Sequence, residues 1–310
     1  MSHDSSKYRG RFAPSPSGPL HFGSLVTAVG SYLDARHNRG EWLVRMEDLD
    51  PPREQPGAAD RILRTLEAFG FEWDRDILYQ NRPARNDAYR QALDLLSQRG
   101  VTYPCTCTRK EINENAVPGV EGPVYPGTCR KNPPSGRKAR TTRIRTDDSG
   151  ISFRDLICGH IGQNIAAETG DFIIRRADGL FAYQLAVVVD DAFQNISRVV
   201  RGSDLLLSTP RQIYLQQLLN MPTPAYAHLP LVRDAQGVKL SKQSMAQPVN
   251  DRNPLASLLA AWRFLGQTAP ERHPENPAEF WSWAIANWDL AQVPVDSTAG
   301  ERASSRETSG

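Results

Sequence analysis

"PSGPLHFGSL", from Pro16 to Leu25, lies between a short strand-like run and a long helical one. Prolines, glycines, a histidine and a serine crowded at a helix start admit two readings. They cap the helix in an ordinary turn, or they cradle phosphates. Gly18 and Gly23 permit close backbone approach, and the first amides of a helix attract anions. His21 could add a donor. Taken alone, a histidine beside a glycine is more often a capping turn, so the rest of the chain must decide.

Upstream, "YRGRFAPSPSG" reads as a strand over about residues 8–13, running into a proline-broken loop. Over about 24–38, Leu25, Val29 and Leu33 share one helical face. Arg36 and His37 suit the negative end of that helix, and Gly40 is a natural stop. "EWLVRMEDLD" alternates Trp42, Val44 and Met46 as a strand requires, and helical patterns cover about 57–69 and 84–99. This strand–helix rhythm predicts an α/β fold with a parallel sheet.

The bulk properties narrow the class. At 310 residues, 39% hydrophobic and 23% charged, the chain reads as an ordinary soluble protein large enough for more than one domain. No apolar run approaches the ~20 residues a bilayer span needs, and "MSHDSSKYRGR" lacks a signal-type core. Cytoplasm is the default. A net charge of +2 makes no global bid for nucleic acid. Locally, "RKNPPSGRKARTTRIR" between Arg130 and Arg145 carries seven basic residues and no acid, which suits a solvated loop or a phosphate-contacting arm.

The rhythm breaks near Val101. Residues 101–170 are rich in Pro, Gly, Cys, Thr and Arg and read as an insertion outside the sheet. Cys105 and Cys107 form a C-x-C pair, with Cys129 following. Three thiolates plus one more donor would complete a tetrahedral, structural zinc site, and residue chemistry alone favours His160 or Cys158 for the fourth place. "IIRRADGLFAY" reads as a hairpin around Asp178–Gly179. The α/β pattern resumes with "LAVVVDDAF", the strand-like "ISRVVRG" and a helix in which Thr209 would cap and Pro210 take the first position. Two short helical patterns follow over 249–292, and from 293 the chain is too polar to fold.

A second stretch changes the odds for the first. "KLSK", Lys239 to Lys242, places two lysines where nucleotide phosphates could meet them. A His-x-Gly-Ser turn paired with such a loop resembles the class I aminoacyl-tRNA synthetases. "RFAPSPSGPLHFGSL", "RMEDLDPPR", "FAYQLAVVVDDAFQNISRVVRGSDLLLSTPRQ" and "KLSK" resemble the glutamyl branch, in order and spacing, from about Tyr8 to Pro248. The resemblance implies a Rossmann-like catalytic domain in two halves, 8–100 and 171–248. A zinc-containing insertion over 101–170, a short helical part over 249–292 and loose tails at 1–7 and 293–310 would complete it. It implies no anticodon-binding domain, the departure that sets the truncated paralogues of the branch apart. Those paralogues attach glutamate to the queuosine base of tRNA(Asp).

The resemblance also implies roles for individual residues. Pro14, His21, Ser24 and the amide at Gly23 would meet ATP, with Ser24 replacing the second histidine of the commoner motif. Lys239 and Lys242 would stabilise the transition state. Arg11, Phe12, Ala13, Pro14, Ser15, Glu47, Tyr183 and Arg201 would hold L-glutamate, with Glu47 on its ammonium. Arginine suits a carboxylate because its planar fork donates two parallel bonds. Tyr125 would join Cys105, Cys107 and Cys129 on one Zn²⁺, and Mg²⁺ would accompany ATP. The acceptor would be queuosine-containing tRNA(Asp), and the protein a monomer. Competing readings are an enzyme charging a tRNA 3′ end, an adenylate-forming ligase for a small acceptor, and a non-catalytic tRNA-binding module.

Overall fold

The computed structural model describes residues 7–131, 136–233 and 247–296. Arg9–Phe12 (β1), Phe22–His37 (α1) and Glu41–Met46 (β2) form the first β-α-β unit. β1 and β2 run parallel, from Arg9 opposite Glu41 to Phe12 opposite Val44. Leu25, Val29 and Leu33 are wholly buried, as their spacing predicts, but Val26, Ala28 and Ala35 are buried too. α1 is therefore covered on most sides, as a central helix must be. The expected stop at Gly40 is corrected: α1 ends at His37 with Asn38 as its cap, and Arg39 takes the left-handed conformation (φ 53°). Gly40 is needed for packing, because a Cβ there would lie 2.5 Å from the Tyr8 ring.

Ala58–Ala68 (α2) leads to Leu78–Tyr79 (β3), which extends the sheet in parallel beside β2, and Pro83–Gln98 (α3) follows. Aromatic packing fills the space above β2. Trp42 stacks on Phe71 at 5.5 Å and meets Tyr32 edge-on at 5.1 Å. Ring contacts of this geometry add to the apolar area they bury.

The inserted region begins with Thr102–Cys105 (β4), Arg109–Asn115 (α4), the tiny pair Pro118–Gly119 (β5) and Gly122–Pro123 (β6), and Thr128–Lys131 (α5). Thr141–Ile144 (β7) pairs antiparallel with β4. Gly150–Asp155 (β8) and Gly159–Asn164 (β9) then form a hairpin, followed by Ile165–Glu168 (α6) and Ile173–Arg175 (β10), which pairs antiparallel with β7. The expected hairpin around Gly179 closes through a single bridge, Arg175 opposite Phe181.

The second half comprises Tyr183–Phe193 (α7), Arg198–Gly202 (β11), Thr209–Leu219 (α8) and Ala225–Leu229 (β12), with β11 and β12 parallel. Two expectations are corrected here. Residues 101–170 do not all stand outside the sheet: β8 joins β12 in parallel at Asp155 opposite Tyr226. And Ser208, not Thr209, occupies the N-cap of α8. Thr209 is wholly buried and spends its hydroxyl on interior partners instead.

The halves meet at β1, whose Arg9 carbonyl accepts the Ser197 N–H at 3.0 Å. Asp34 of α1 gathers three further segments. Its carboxylate accepts from the Tyr8 hydroxyl at 2.5 Å, Arg198 at 3.2 Å and the Trp288 indole at 3.3 Å. Pro254–Phe264 (α9) and Pro277–Asn287 (α10) complete the core around α1, and the Trp281 indole donates to the Phe69 carbonyl at 2.9 Å. Residues 293–296, expected to belong to a loose tail, are instead packed against the core. Val293 is buried, and the Asp296 carboxylate accepts from Ser203 at 2.8 Å and the Leu231 N–H at 3.1 Å.

Candidate active site

A cavity of about 290 Å³ opens beyond the carboxyl ends of β1, β2 and β11 and the N-terminus of α1. In open α/β sheets this crevice is where ligands bind. It brings together residues 11–15, His21, Gly23, Ser24, Glu47, Tyr183 and Arg201, all singled out in the sequence. Lys239 and Lys242 lie outside the described residues. The chain flanking them reaches the site from both sides: Val232 lines the cavity, and Pro248 bridges to His21.

His21 is the N-cap of α1, its Nδ1 accepting the Ser24 N–H at 3.3 Å, and its Nε2 lies 3.1 Å from Ser24 Oγ. The capping turn is real, and it also forms a cavity wall. Helix amides and the dipole there favour an anion.

At the opposite wall, charges alternate in the interior. Arg11 donates through Nε to Asp191 at 3.1 Å, and Arg45 donates to the same oxygen at 2.7 Å. Arg45 also reaches Gln194 at 2.9 Å and Glu47 at 3.1 Å. Buried charges persist only when paired and hydrogen-bonded. Burial works against ionisation of Asp191, yet Arg11 and Arg45 hold its carboxyl below the usual range. For Glu47 burial wins, raising its carboxyl despite Arg45 and Arg11. The neighbouring Asp190 faces elsewhere, accepting from Arg85 at 2.8 Å, Gln80 at 2.7 Å and Tyr89 at 2.7 Å. It pins α3 against α7.

Arg201 is held on three sides. It donates to Thr209 Oγ1 at 2.8 Å, to Tyr183 Oη at 3.4 Å and to His228 Nε2 at 3.1 Å. His228 Nδ1 meets Asp155 Oδ2 at 2.6 Å. Arg45, Asp155, Asp191 and His228 were not among the residues the sequence singled out. The one available signal was the acid pair closing the apolar run "LAVVVDD", since two carboxylates there need buried partners.

In the inserted region, the sulfurs of Cys105, Cys107 and Cys129 lie within 4.8 Å of one another. The Tyr125 hydroxyl is 3.4 Å from Cys105 Sγ and 3.5 Å from Cys107 Sγ. Burial pushes the Cys107 thiol up to about 11. It opposes ionisation of Cys129 too, but the Thr106 N–H and hydroxyl bring that thiol down to about 6. Three soft donors and a phenol oxygen converge as a small tetrahedral site requires. The two alternative fourth ligands stand elsewhere: Cys158 Sγ faces the His228 carbonyl at 3.7 Å, and His160 is exposed on β9.

The basic run resolves into two kinds of residue. Arg143 is buried with its guanidinium 3.8 Å from the Tyr125 ring centre, and Arg145 lies over Tyr103 at 4.8 Å. Arg130 donates to the Thr146 carbonyl at 2.5 Å, and Arg137 to Glu111 at 2.8 Å. These four brace the inserted region. Lys131, Lys138 and Arg140 are exposed.

Residues 7–257 match the family described as tRNA synthetases class I (E and Q), catalytic domain. The chain belongs to that family. Among curated relatives, the glutamyl-Q tRNA(Asp) synthetase of Dechloromonas aromatica is 56% identical over 295 residues, covering 94% of this chain and 97% of the relative. The protein of the same name from Chromobacterium violaceum is 54% identical, covering 93% and 96%. Among solved structures, a glutamate tRNA ligase from Elizabethkingia meningosepticum, in complex with its amino acid, shares the fold with a TM-score of 0.74 at 24% identity; the match covers 93% of this chain and 66% of that one. Among the described residues no helix is long and apolar enough to cross a membrane.

The Asp191 cluster yields a pH-resolved expectation. Its folded pKa is depressed, so its stabilisation is complete above the ordinary aspartate value of about 3.9 and is lost as pH falls through the lower folded value. Asp191→Asn strands two buried guanidinium groups and should cost roughly 3–5 kcal/mol at neutral pH. Denaturant melts of wild type and variant should differ by that amount at pH 7 and converge only below about pH 4.

Proposed function

We propose that this chain activates L-glutamate with ATP and transfers the glutamyl group to the queuosine base in the anticodon of tRNA(Asp). One observation carries the reading: two arginines, Arg11 and Arg201, each fixed by interior partners, share a cavity with the N-terminus of α1. Glutamate brings two carboxylates and an ammonium, and the cavity offers two arginines and Glu47. The curated relatives that share the acceptor named above, at 54–56% identity across nearly the whole chain, support the choice of acceptor.

In activation, a glutamate carboxylate oxygen attacks the α-phosphorus of ATP in line and pyrophosphate leaves. Negative charge spreads over phosphate oxygens, so positioning and positive charge do most of the catalysis. His21, Ser24 and the amide at Gly23 orient the phosphates, with Pro14 against the nucleotide. Lys239 and Lys242 supply positive charge, and Mg²⁺ accompanies ATP. Residues 11–15, Glu47, Tyr183 and Arg201 hold the amino acid. A queuosine hydroxyl then attacks the activated carbonyl, and AMP leaves.

Cys105, Cys107, Tyr125 and Cys129 would hold one structural Zn²⁺, which suits a region with a small apolar cluster of its own. The protein would act as a cytoplasmic monomer. Its catalytic domain would comprise 8–100 and 171–248, with the β8–β9 hairpin counted as part of its sheet.

The deciding experiment supplies labelled glutamate, ATP and two tRNA pools, one from cells that make queuosine and one from cells that cannot. Label on the queuosine-containing pool alone is expected. Equal label on both pools would mean 3′-end charging. ATP–pyrophosphate exchange without label on either would mean a small-molecule acceptor.

Two further outcomes are expected. Replacing Lys138 and Arg140 with alanine should weaken transfer and lower its salt dependence by about one unit per lost phosphate contact. Adenylate formation, followed by ATP–pyrophosphate exchange, should be unchanged. Elemental analysis should find about one zinc per chain, absent from Cys129→Ser, and a strong chelator should lower the melting temperature of wild type but not of that variant.

A further inference from the structure

Arg201 is the least self-sufficient group in the cavity. Unlike Arg11, it contacts no acid among the described residues. Its fork is set by Thr209, by the Leu205 carbonyl at 3.4 Å, and by a histidine acceptor. His228 is fully buried on β12, between Asp155 on β8 and Arg201 on β11. The hydrogen bonds fix its state. Arg201 Nε–H can only donate, so His228 Nε2 must be bare and accept. The proton therefore sits on Nδ1 and is donated to Asp155. Burial lowers the imidazole pKa, against the pull of Asp155, which agrees with a neutral ring.

We infer that Asp155 and His228 are positioning residues for glutamate recognition: Asp155 selects the histidine tautomer, and that tautomer aims the Arg201 guanidinium into the cavity. The inference rests on the reading of the cavity as a glutamate site. It assigns a function to a strand, β8, that comes from the inserted region and touches no part of the cavity.

Asp155→Asn tests the tautomer with little change of shape. Asp155 Oδ1 accepts three backbone N–H groups, from Cys158 at 2.8 Å, Ile157 at 3.0 Å and His228 at 3.2 Å. In the variant the amide oxygen must take that place, because an NH₂ group there would face three donors. The NH₂ then faces His228 Nδ1 and drives the proton to Nε2, where it opposes Arg201 Nε–H. Changing a carboxylate to an amide beside a histidine is known to impose the wrong tautomer in this way.

His228 itself can be split into its two halves. Asparagine reproduces the Nδ1 donor toward Asp155 and removes the acceptor for Arg201. Glutamine can extend an oxygen to the Nε2 position and restore that acceptor.

The experiment measures glutamate affinity of the full chain by calorimetry, and KM for glutamate and ATP by pyrophosphate exchange. Asp155→Asn and His228→Asn should each weaken glutamate about tenfold, or about 1.4 kcal/mol, with KM for ATP within about twofold. His228→Gln should recover most of the affinity lost in His228→Asn. A merely structural role would move both substrates together and would not distinguish asparagine from glutamine at 228. Wild-type affinity in Asp155→Asn, or equal losses for glutamate and ATP, overturns the inference. If Asp155→Asn does not fold, the asparagine–glutamine comparison at 228 decides alone. Failure of the wild type to bind glutamate at all overturns the parent reading, and this one with it.

Discussion

Asp191 joins two arginines in the interior, and much of the cavity depends on that junction. An isolated buried carboxylate is prohibitively costly; one shared between Arg11 and Arg45 is tolerable because each guanidinium also needs a partner. The pairing links β1, β2 and α7, three elements far apart in sequence. It also consumes one edge of Arg11. The remaining face is presented at the cavity with its direction already fixed. Binding a substrate there costs little further ordering, which is the physical content of preorganisation.

The second charged assembly works by a different principle. Among the described residues no acid contacts the buried Arg201, and its surroundings there are hydrogen-bonding groups rather than counter-charges. The site thus has one arginine neutralised by its protein neighbours and one that is not. Glu47 sits with the neutralised one, partnered by Arg45, and burial raises its carboxyl pKa against the pull of that partner. Recognition of an amino acid then becomes completion of an internal charge pattern, not attachment to a preformed patch.

Local patterns made much of this legible. The helical spacing of Leu25, Val29 and Leu33 and the alternation in β2 act over a few residues and are visible in one dimension. The cavity lining was legible because its stretches are short and rich in unusual residues. Asp155 and His228 were not, because nothing near either one announces a partner 73 positions away. Thr209 was misjudged for a related reason: local propensity favours threonine at a cap, but an interior arginine offered its hydroxyl more. The basic run looked uniform because charge was visible and stacking was not. Arg143 and Arg145 lie against tyrosine rings, whereas Lys138 and Arg140 are exposed.

The placement of β8 has a bearing on modularity. A region that interrupts a sheet is ordinarily a cassette, free to be exchanged, shortened or lost while the host domain stays whole. Here the last part of the interruption supplies a strand to the host sheet and an acid to its interior. Excising 101–170 would bare an edge of β12 and leave a buried histidine without its acceptor. The inserted region and the wall of the pocket are sewn together by one carboxylate. Grafting the insertion from a relative would succeed only if the graft carried an equivalent of Asp155.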